Sequence, residues 1–303
     1  MAKKKHPILI VLLIIAAFAL VLGTTAVVVI KFVASPTSHI SFTEKIGVIP
    51  ITGTITDAQP IISQIIKFRK DNAIKAIIIR IDSPGGGVGP SQEIYKELER
   101  TRKTKKVIAS MGSVAASGGF YVAAAADKIV ANPGTITGSI GVIMEFVQLK
   151  GLLDKIGVNL EVLKSGEYKD MGYPQRSLTD KDKVILQGVI NDIKRQFVTA
   201  VADGRHLARE KVQAIADGRI FSGEQAKELG LVDFLGNFQD AVILTKRMTG
   251  IRGNATLVYP KRRGISFWDL LFDSASRALM KWLQETPIKA GYIWQGGLNP
   301  TLR

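Results

Sequence analysis

Short, continuously apolar segments in the middle of the sequence limit the folds that it can adopt. The runs Ala73–Ile81 (AIKAIIIRI) and Asp127–Pro133 (DKIVANP) show almost no alternation of apolar and polar residues. A strand with one face in water alternates, whereas a strand covered on both faces does not. Together with Lys45–Ile55, Lys105–Met111 and Leu160–Gly166, these runs predict the strands of a parallel sheet in an α/β fold.

Helical segments lie between and after these strands. Ser91–Lys103 is polar and helix-forming, and Phe221–Leu244 has the pattern of a further βα unit. A long helix is predicted from about Lys181 to Ala202, with Thr179 and Asp180 as N-cap residues and Gly204 as its stop. We interpret the apolar stripe of this helix as core packing. The stripe consists of Ile185, Val189, Ile193, Phe197 and Val201.

The segment Ile8–Ile30 contains no charged residue. As a helix it would span about 34 Å, slightly more than the roughly 30 Å of a bilayer's hydrocarbon core. The apolar region of a cleaved signal peptide is only about 7 to 15 residues long, so an uncleaved membrane anchor is expected. Because Lys3, Lys4 and Lys5 precede it, the positive-inside rule places the N-terminus in the cytoplasm. The rest of the chain is therefore expected on the periplasmic or extracellular side of an inner or plasma membrane.

These patterns divide the chain into five parts. We expect a cytoplasmic tail at 1–7, a transmembrane anchor at 8–33, a linker at 34–44, an α/β domain at 45–248 and a C-terminal extension at 249–303. Within the extension, Ile265–Glu285 has an amphipathic pattern with two Trp residues. Contact with the membrane, contact with a neighbouring subunit and ordinary core packing all fit that pattern.

Charge and cysteine content exclude some classes of function. The formal net charge is +15, but the basic residues are scattered and no nucleic-acid-binding module surrounds them. Attraction to anionic lipid headgroups explains the charge better, and no nucleic-acid partner is expected. The chain contains no cysteine, which excludes thiol chemistry and cysteine-based metal sites. No metal or organic cofactor is expected.

Glycines cluster directly after three predicted strands, at Gly85–Gly87, at Gly118–Gly119 and around Gly138. In α/β sheets, ligands bind at the carboxyl ends of strands, where loops need close backbone approach. Tight turns would explain any one cluster alone, but the set of three favours a functional crevice. Neither IDSPGGGVGP nor VAASGGF has the spacing of a phosphate-binding loop.

Ser117 begins the helical segment GGFYVAAAA and is the candidate nucleophile. The positive end of a helix favours a developing alkoxide, and the N–H group of Gly118 is placed to donate to an oxyanion. A second donor is expected from the turn Gly85–Gly87. Read alone, a serine at a helix start is more often simply an N-cap.

The base that activates this serine is expected to be a lysine. His6, His39 and His206 all lie away from strand ends, and a lysine acts as a base only where its pKa is lowered toward neutrality. Lys164 and Lys169 flank a glycine-containing turn, and the residues alone do not choose between them. The carboxylate of Asp170 would oppose this role of Lys169 unless it points away. The other candidates are Lys128, Lys150 and Lys155.

Five ordered motifs behind the apolar segment carry a family resemblance. They are IDSPGGG, GSVAASGGFYVA, NPGTITGSIGV, LKSGEYKD and GRIFSGEQAKELGLVD. Over roughly Ile46–Val242 the chain resembles the short-form signal peptide peptidases of the S49 serine peptidase family. The resemblance implies the Clp protease/crotonase-like α/β fold of repeated ββα units, behind a single N-terminal transmembrane helix.

The resemblance also implies a role for each matching residue. Ser117 is the expected nucleophile and Lys169 the expected general base, which decides against Lys164. Ser139 is expected to orient the lysine amine by a hydrogen bond. Gly86 and Gly118 are expected to form the oxyanion hole.

Substrates and partners follow from the resemblance in the same way. It implies an endopeptidase that degrades remnant signal peptides after leader peptidase has released them. It also implies a homo-octamer whose active sites combine the serine of one subunit with the lysine of the next. Another membrane-bound S49-type protease of quality control, a crotonase-like acyl-CoA enzyme and an inactive membrane scaffold are the alternatives.

Overall fold

The computed structural model describes residues 7–34, 44–260 and 290–293, with side chains described for 14–27 and 44–260. The chain divides into two compact units, Met1–Thr43 and Glu44–Arg303. The first unit contains one helix, α1 (Pro7–Ala34). Among the residues whose side chains are described, which in α1 are 14–27, no helix is both long and apolar enough to cross a membrane.

The second unit contains the other helices and all the strands of the described residues. The helices are α2 (Gln59–Lys70), α3 (Val88–Arg102), α4 (Gly118–Ala124), α5 (Lys150–Lys155), α6 (Asp180–Arg205), α7 (Arg209–Ala214), α8 (Gly223–Glu228) and α9 (Phe238–Thr249). The strands are β1 (Lys45–Thr52), β2 (Ile74–Ser83), β3 (Gly85–Gly87), β4 (Lys106–Ala116), β5 (Lys128–Ala131), β6 (Ile136–Gly138), β7 (Ile143–Met144), β8 (Ile220–Ser222), β9 (Phe234–Leu235), β10 (Thr256–Val258) and β11 (Ala290–Ile293).

A mixed sheet of eight strands forms the centre of this unit. Its main path runs β10-β1-β2-β4-β5-β9, and every neighbouring pair along it is parallel. β6 continues beside the end of β4 in parallel, and β8 pairs with β6 antiparallel. A second sheet, of order β3-β11-β7, lies at the carboxyl end of β2.

Both faces of the main sheet are buried, as the apolar runs predict. On β2, Ile77 and Ile79 belong to one hydrophobic cluster while Ile78 belongs to another. The first cluster includes side chains of α2, α3, α4 and α6, and the second includes those of α9. Fully burying one such isoleucine contributes about 1.5–3 kcal/mol, so neither face could be left in water.

The capping residues of α6 follow the prediction at one end and differ at the other. Thr179 accepts a hydrogen bond from the Asp182 N–H, and the Asp182 carboxylate accepts from the Thr179 N–H, which closes a capping box. Gly204, the predicted stop, instead lies inside the helix. A Cβ at Gly204 would lie 2.1 Å from the Ala124 carbonyl oxygen, so this glycine lets α6 approach α4 closely. The helix ends at Arg205, with His206 as a left-handed C-cap.

Two other predictions are wrong in the described part of the chain. Leu160–Gly166 forms no strand. The segment is irregular and exposed, with Leu163 at 93% exposure, and it pairs with none of the described strands. The stripe of α6 is core only in its second half. Phe197 and Val201 are fully buried, whereas Ile185 and Val189 are 37% and 43% exposed. The amphipathic segment Ile265–Glu285 lies outside the described residues.

Candidate active site

Ser117 lies at the junction of β4 and α4 with a strained backbone. Its φ and ψ are 53° and −118°, a conformation that few residues other than glycine adopt. The Ser117 N–H donates to the Gly138 carbonyl oxygen (2.9 Å), and the Ser117 carbonyl oxygen accepts from the Tyr121 N–H (2.8 Å). The residue is 1% exposed. Such strain costs about 1–3 kcal/mol and is typical of functional sites in which the surroundings enforce it.

The two glycines after Ser117 let α4 begin close to the end of β2. A Cβ at Gly118 would lie 2.6 Å from the Ser91 Oγ and 3.1 Å from the Gly86 nitrogen. A Cβ at Gly119 would lie 2.8 Å from the Ser83 carbonyl oxygen. The glycine-rich strand ends therefore meet, as the sequence predicts, and the amides of Gly86 and Gly118 are neighbours.

Gly86 is the middle residue of β3, which is hydrogen-bonded to Ile55 along one edge and paired with another strand along the opposite edge. The Ile55 N–H donates to the Gly85 carbonyl oxygen and the Gly87 N–H donates to the Ile55 carbonyl oxygen, both at 2.8 Å. Hydrogen-bonding groups of successive residues in a strand point to opposite edges, so the Gly86 N–H points away from Ile55. On that opposite edge β3 pairs with β11 in antiparallel register, with Tyr292 opposite Gly86.

Ser139 is placed beside Ser117 by the pairing of β4 with β6. Ala116 and Gly138, the residues before the two serines, are register partners. Ser139 also has a positive φ, 51°, and is 7% exposed. Its N–H donates to the Arg219 carbonyl oxygen (2.8 Å), which fixes the backbone after β6.

A cavity of about 440 Å³ opens at the two serines. Its walls come from the ends of β4 and β6, from one face of α6 and from the loop before β8. The lining residues are Ser117, Ser139, Gly141, Val142, Ile143, Gln187, Ile190, Asn191, Lys194, Ala216, Asp217 and Gly218. Among the residues that the structure describes, no group of three or more His, Cys, Asp or Glu side chains could hold a metal ion.

The two lysines that the sequence leaves open have different surroundings. Lys164 donates to both carboxylate oxygens of Asp170 (2.8 and 2.9 Å) and to the Glu167 carbonyl oxygen (3.0 Å). Lys169 is exposed, and its amine makes no hydrogen bond or ion pair with any described residue. Lys169 is not among the described residues that line the cavity at Ser117.

The Asp170 carboxylate is engaged away from Lys169. Besides Lys164 it accepts from the Arg176 guanidinium (2.9 Å), and Arg176 also donates to Asp182 (2.5 Å) at the start of α6. Hydrogen bonds from Arg176 and then Lys164 lower the pKa of Asp170 to about 2. Arg176 also lowers the pKa of Asp182. This chain of ion pairs attaches the loop that carries Lys169 to α6.

Sequence reasoning missed the polar wall that α6 gives the cavity. Gln187, Asn191 and Lys194 recur at i, i+4 and i+7, so they share one face of the helix. The same spacing was readable in the sequence. The more regular pattern in this helix is its apolar stripe, which does not include these three residues.

Comparison with protein families gives two overlapping matches. Residues 99–252 match peptidase family S49, and residues 38–135 match the Clp protease family. The mixed α/β sheet is consistent with a Clp protease-like domain.

Individual relatives include proteases of bacteria and archaea. A putative protease of Synechocystis sp. is 48% identical over 65% of this chain and 72% of its own length. A putative protease of Methanocaldococcus jannaschii is 36% identical over 67% of this chain and 65% of its own length. A putative signal peptide peptidase SppA of Enterococcus faecium is 37% identical over 62% of this chain, but the match spans only 55% of that protein.

Proposed function

This chain belongs to peptidase family S49 and is a serine protease, and from that premise we propose that it cleaves peptides with a Ser117–Lys169 dyad. The observation that carries the proposal is Ser117 itself. A buried serine with a positive φ stands at a strand–helix junction, beside a cavity and next to two glycine amides. No packing requirement explains a serine there, because glycine would adopt this conformation with less strain.

The proposed mechanism is acyl transfer. The neutral amine of Lys169 takes the proton of the Ser117 hydroxyl as that oxygen attacks the peptide carbonyl. The N–H groups of Gly86 and Gly118 donate to the oxyanion of the tetrahedral intermediate. The protonated lysine then gives its proton to the leaving amine, and water activated by the same lysine hydrolyses the acyl-enzyme. Ser139 orients the lysine amine.

We infer that Lys169 reaches Ser117 from a neighbouring subunit. Two observations support a shared site in a homo-oligomer, for which the resemblance suggests an octamer. Lys169 is exposed and its amine is unpaired among the described residues, and the surrounding segment exposes large apolar side chains that a neighbour would cover. They include Val147 (65%), Leu152 (57%), Ile156 (62%), Leu163 (93%) and Val184 (73%).

Mixing two inactive variants tests this sharing. Ser117→Ala supplies an intact lysine and Lys169→Ala an intact serine, so co-assembly in equal amounts should restore about a quarter of the sites. The control mixes separately assembled, non-exchanging oligomers, which should stay inactive. Lack of recovery in verified mixed oligomers would contradict a shared site.

The proposed substrates are remnant signal peptides, cut on the periplasmic or extracellular side of the membrane. The uncharged segment Ile8–Ile30, preceded by Lys3, Lys4 and Lys5, supports an anchor with a cytoplasmic N-terminus and the protease unit on the periplasmic or extracellular side. The substrate class rests on the resemblance and on the name of the enterococcal relative.

A serine-directed fluorophosphonate reagent tests the nucleophile. Labelling should disappear in Ser117→Ala and persist in Ser113→Ala, because Ser113 lies within β4, upstream of the junction that carries Ser117. Persistent labelling of Ser117→Ala would exclude Ser117. Synthetic leader peptides compared with acyl-CoA esters separate a protease from a crotonase-like enzyme.

A further inference from the structure

Four neighbouring strands of the main sheet have a lysine as their first or second residue. β1, β2, β4 and β5 are adjacent and parallel, and Lys45, Lys75, Lys106 and Lys128 are the first or second residues of these strands. Because these strands are parallel neighbours, the four lysines lie along the edge of the sheet at which the strands begin.

Three helices bring further cations to the same edge. α2, α3 and α9 each lead, through a short connection, to the start of a strand, so their last turns lie where those strands begin. Favourable interaction with the helix dipole accounts for basic residues in these turns. It does not account for the strand lysines or for the loop residues Lys103 and Arg252. The basic residues in the last turns are Lys67, Arg69, Lys70, Arg100, Arg102, Lys246 and Arg247.

Most of these cations have no acidic partner. Lys106 pairs with Asp127 (3.4 Å) and Lys128 with Asp233 (2.9 Å). Eight others form no hydrogen bond or ion pair through their side chains with any residue that the structure describes, and we call them the basic edge. They are Lys45, Lys67, Lys70, Lys75, Lys103, Lys246, Arg247 and Arg252. Uncompensated cations spread over one end of a domain fit an extended anionic surface rather than a small ligand.

We propose that the basic edge docks on the anionic headgroups of the bilayer that holds the N-terminal anchor; this rests on the anchoring proposed above. The chain enters the sheet at Lys45, the first residue of β1 and a member of the basic edge. Only residues 35–44 separate α1 from that point, and fully extended they reach about 35–40 Å. Each basic residue at an anionic membrane surface attracts it without a specific contact.

This docking fixes the position of Ser117 relative to the bilayer. β4 starts at the basic edge and ends just before Ser117, and at about 3.3 Å per residue its length is about 33 Å. The nucleophile is then held that far above the headgroups, facing away from the bilayer. A substrate must leave the hydrocarbon core before it can be cut, which selects peptides already released from the membrane.

Resonance energy transfer from a fluorophore on the full chain to an acceptor lipid in the bilayer tests the proposal. Because the chain contains no cysteine, Asn72→Cys beside the basic edge and Thr54→Cys beyond the far end of β1 each give one labelling site. Each labelled chain is reconstituted in phosphatidylcholine vesicles, with or without phosphatidylglycerol, containing an acceptor lipid. Phosphatidylglycerol should raise transfer from position 72 and lower or leave unchanged transfer from position 54.

Matched charge variants separate docking from general attraction. Replacing Lys67, Lys70, Lys75 and Lys103 by Gln should abolish the phosphatidylglycerol response. Replacing four exposed lysines of α5 and α6, Lys150, Lys155, Lys181 and Lys183, by Gln should preserve it. Circular dichroism and leader-peptide hydrolysis verify that the variants fold.

Three results would overturn the proposal. The basic edge does not dock if phosphatidylglycerol changes the energy transfer of an anchored chain equally at positions 72 and 54. The same conclusion follows if both quadruple variants lose the phosphatidylglycerol response. Loss of the response on adding a short DNA duplex at a concentration below that of the anionic lipid would assign the edge to nucleic acid. A chain that an alkaline wash removes from the vesicles contradicts the anchor itself, which distinguishes that failure from a failure of docking.

Discussion

Ser117 and Ser139 leave two hydrogen-bonded parallel strands side by side, and both have a left-handed backbone, with φ of 53° and 51°. The residues before them, Ala116 and Gly138, are register partners, and the Ser117 N–H donates to the Gly138 carbonyl oxygen at 2.9 Å. Two strained serines on one cavity wall indicate a site built for reaction, because the fold alone would be more stable with glycine at either position.

This strain predicts a trade-off between stability and activity. Ser117→Gly and Ser117→Ala should both be inactive, but the glycine variant should be more stable by about 1 kcal/mol, since only glycine adopts this conformation freely. Urea unfolding measures the difference. Equal midpoints for the two variants would show that the backbone at Ser117 is not strained.

Ser139→Ala should lower kcat more than it raises KM, because the proposed role of its hydroxyl is to orient the lysine rather than to bind the peptide. Steady-state kinetics with a leader peptide separates the two parameters. Ser139→Thr, which keeps a hydroxyl, should retain more activity than Ser139→Ala. A rise in KM alone would assign Ser139 to substrate binding.

Three lysines near the site should differ in their effects. Lys169→Ala should abolish hydrolysis and leave the unfolding midpoint unchanged, because its amine is unpaired among the described residues. Lys164→Ala should lower stability through loss of the Asp170 pair, while hydrolysis stays measurable. Lys194→Ala, which alters the cavity wall, should also keep hydrolysis. Activity that survives in Lys169→Ala but not in Lys194→Ala would reassign the base to Lys194.

The ion pairs of Asp170 predict a loss of stability in acid. The pKa of Asp170 in the folded state is lowered from an ordinary 3.8 to about 2. Its ionised carboxylate therefore contributes fully to the free energy of unfolding above about pH 4, and this contribution is lost as the pH falls toward 2. Asp170→Asn should therefore be less stable than the parent chain at pH 6, and the two should converge at about pH 2. Denaturant midpoints across that range measure the convergence, and a constant difference would contradict the pairing.

The sequence correctly predicted those helices and strands whose apolar side chains are buried within the same chain. Ile77, Ile78 and Ile79 marked β2 because both faces of the sheet are covered within the domain. The same reasoning failed at Leu160–Gly166 and at Ile185 and Val189, which are apolar but exposed. Periodicity shows that a surface is apolar. It does not show whether the same chain or another molecule covers it.

The candidate site was predictable to a similar extent. Ser117 and the glycine-rich strand ends could be found from residue type and strand position. Lys169 could not be separated from Lys164 in this way, and only the family motif chose it. In the structure Lys164 is paired with Asp170, whereas the amine of Lys169 is unpaired among the described residues. The strain at Ser117 and Ser139 has no sequence signal, because both replace the glycine that such a φ favours.

The pairing of β11 with β3 predicts competition with substrate. β11 lies between β3 and β7, along the edge to which the Gly86 N–H points. A peptide binding there as an added strand would use the same hydrogen-bonding groups. Ending the chain after residue 289 should therefore lower KM for a leader peptide, with kcat little changed. An unchanged or higher KM would show that the C-terminal segment does not compete.

Hydrolysis of a synthetic leader peptide by the full chain and by its Ser117→Ala and Lys169→Ala variants tests the proposed dyad most directly. The parent chain should cut the peptide at a rate that rises between about pH 6 and 9, because only an unprotonated amine accepts the serine proton. Both variants should be inactive and folded, and Ser113→Ala should be active. Hydrolysis by either folded dyad variant, or a rate independent of pH across that range, would contradict a Ser117–Lys169 dyad.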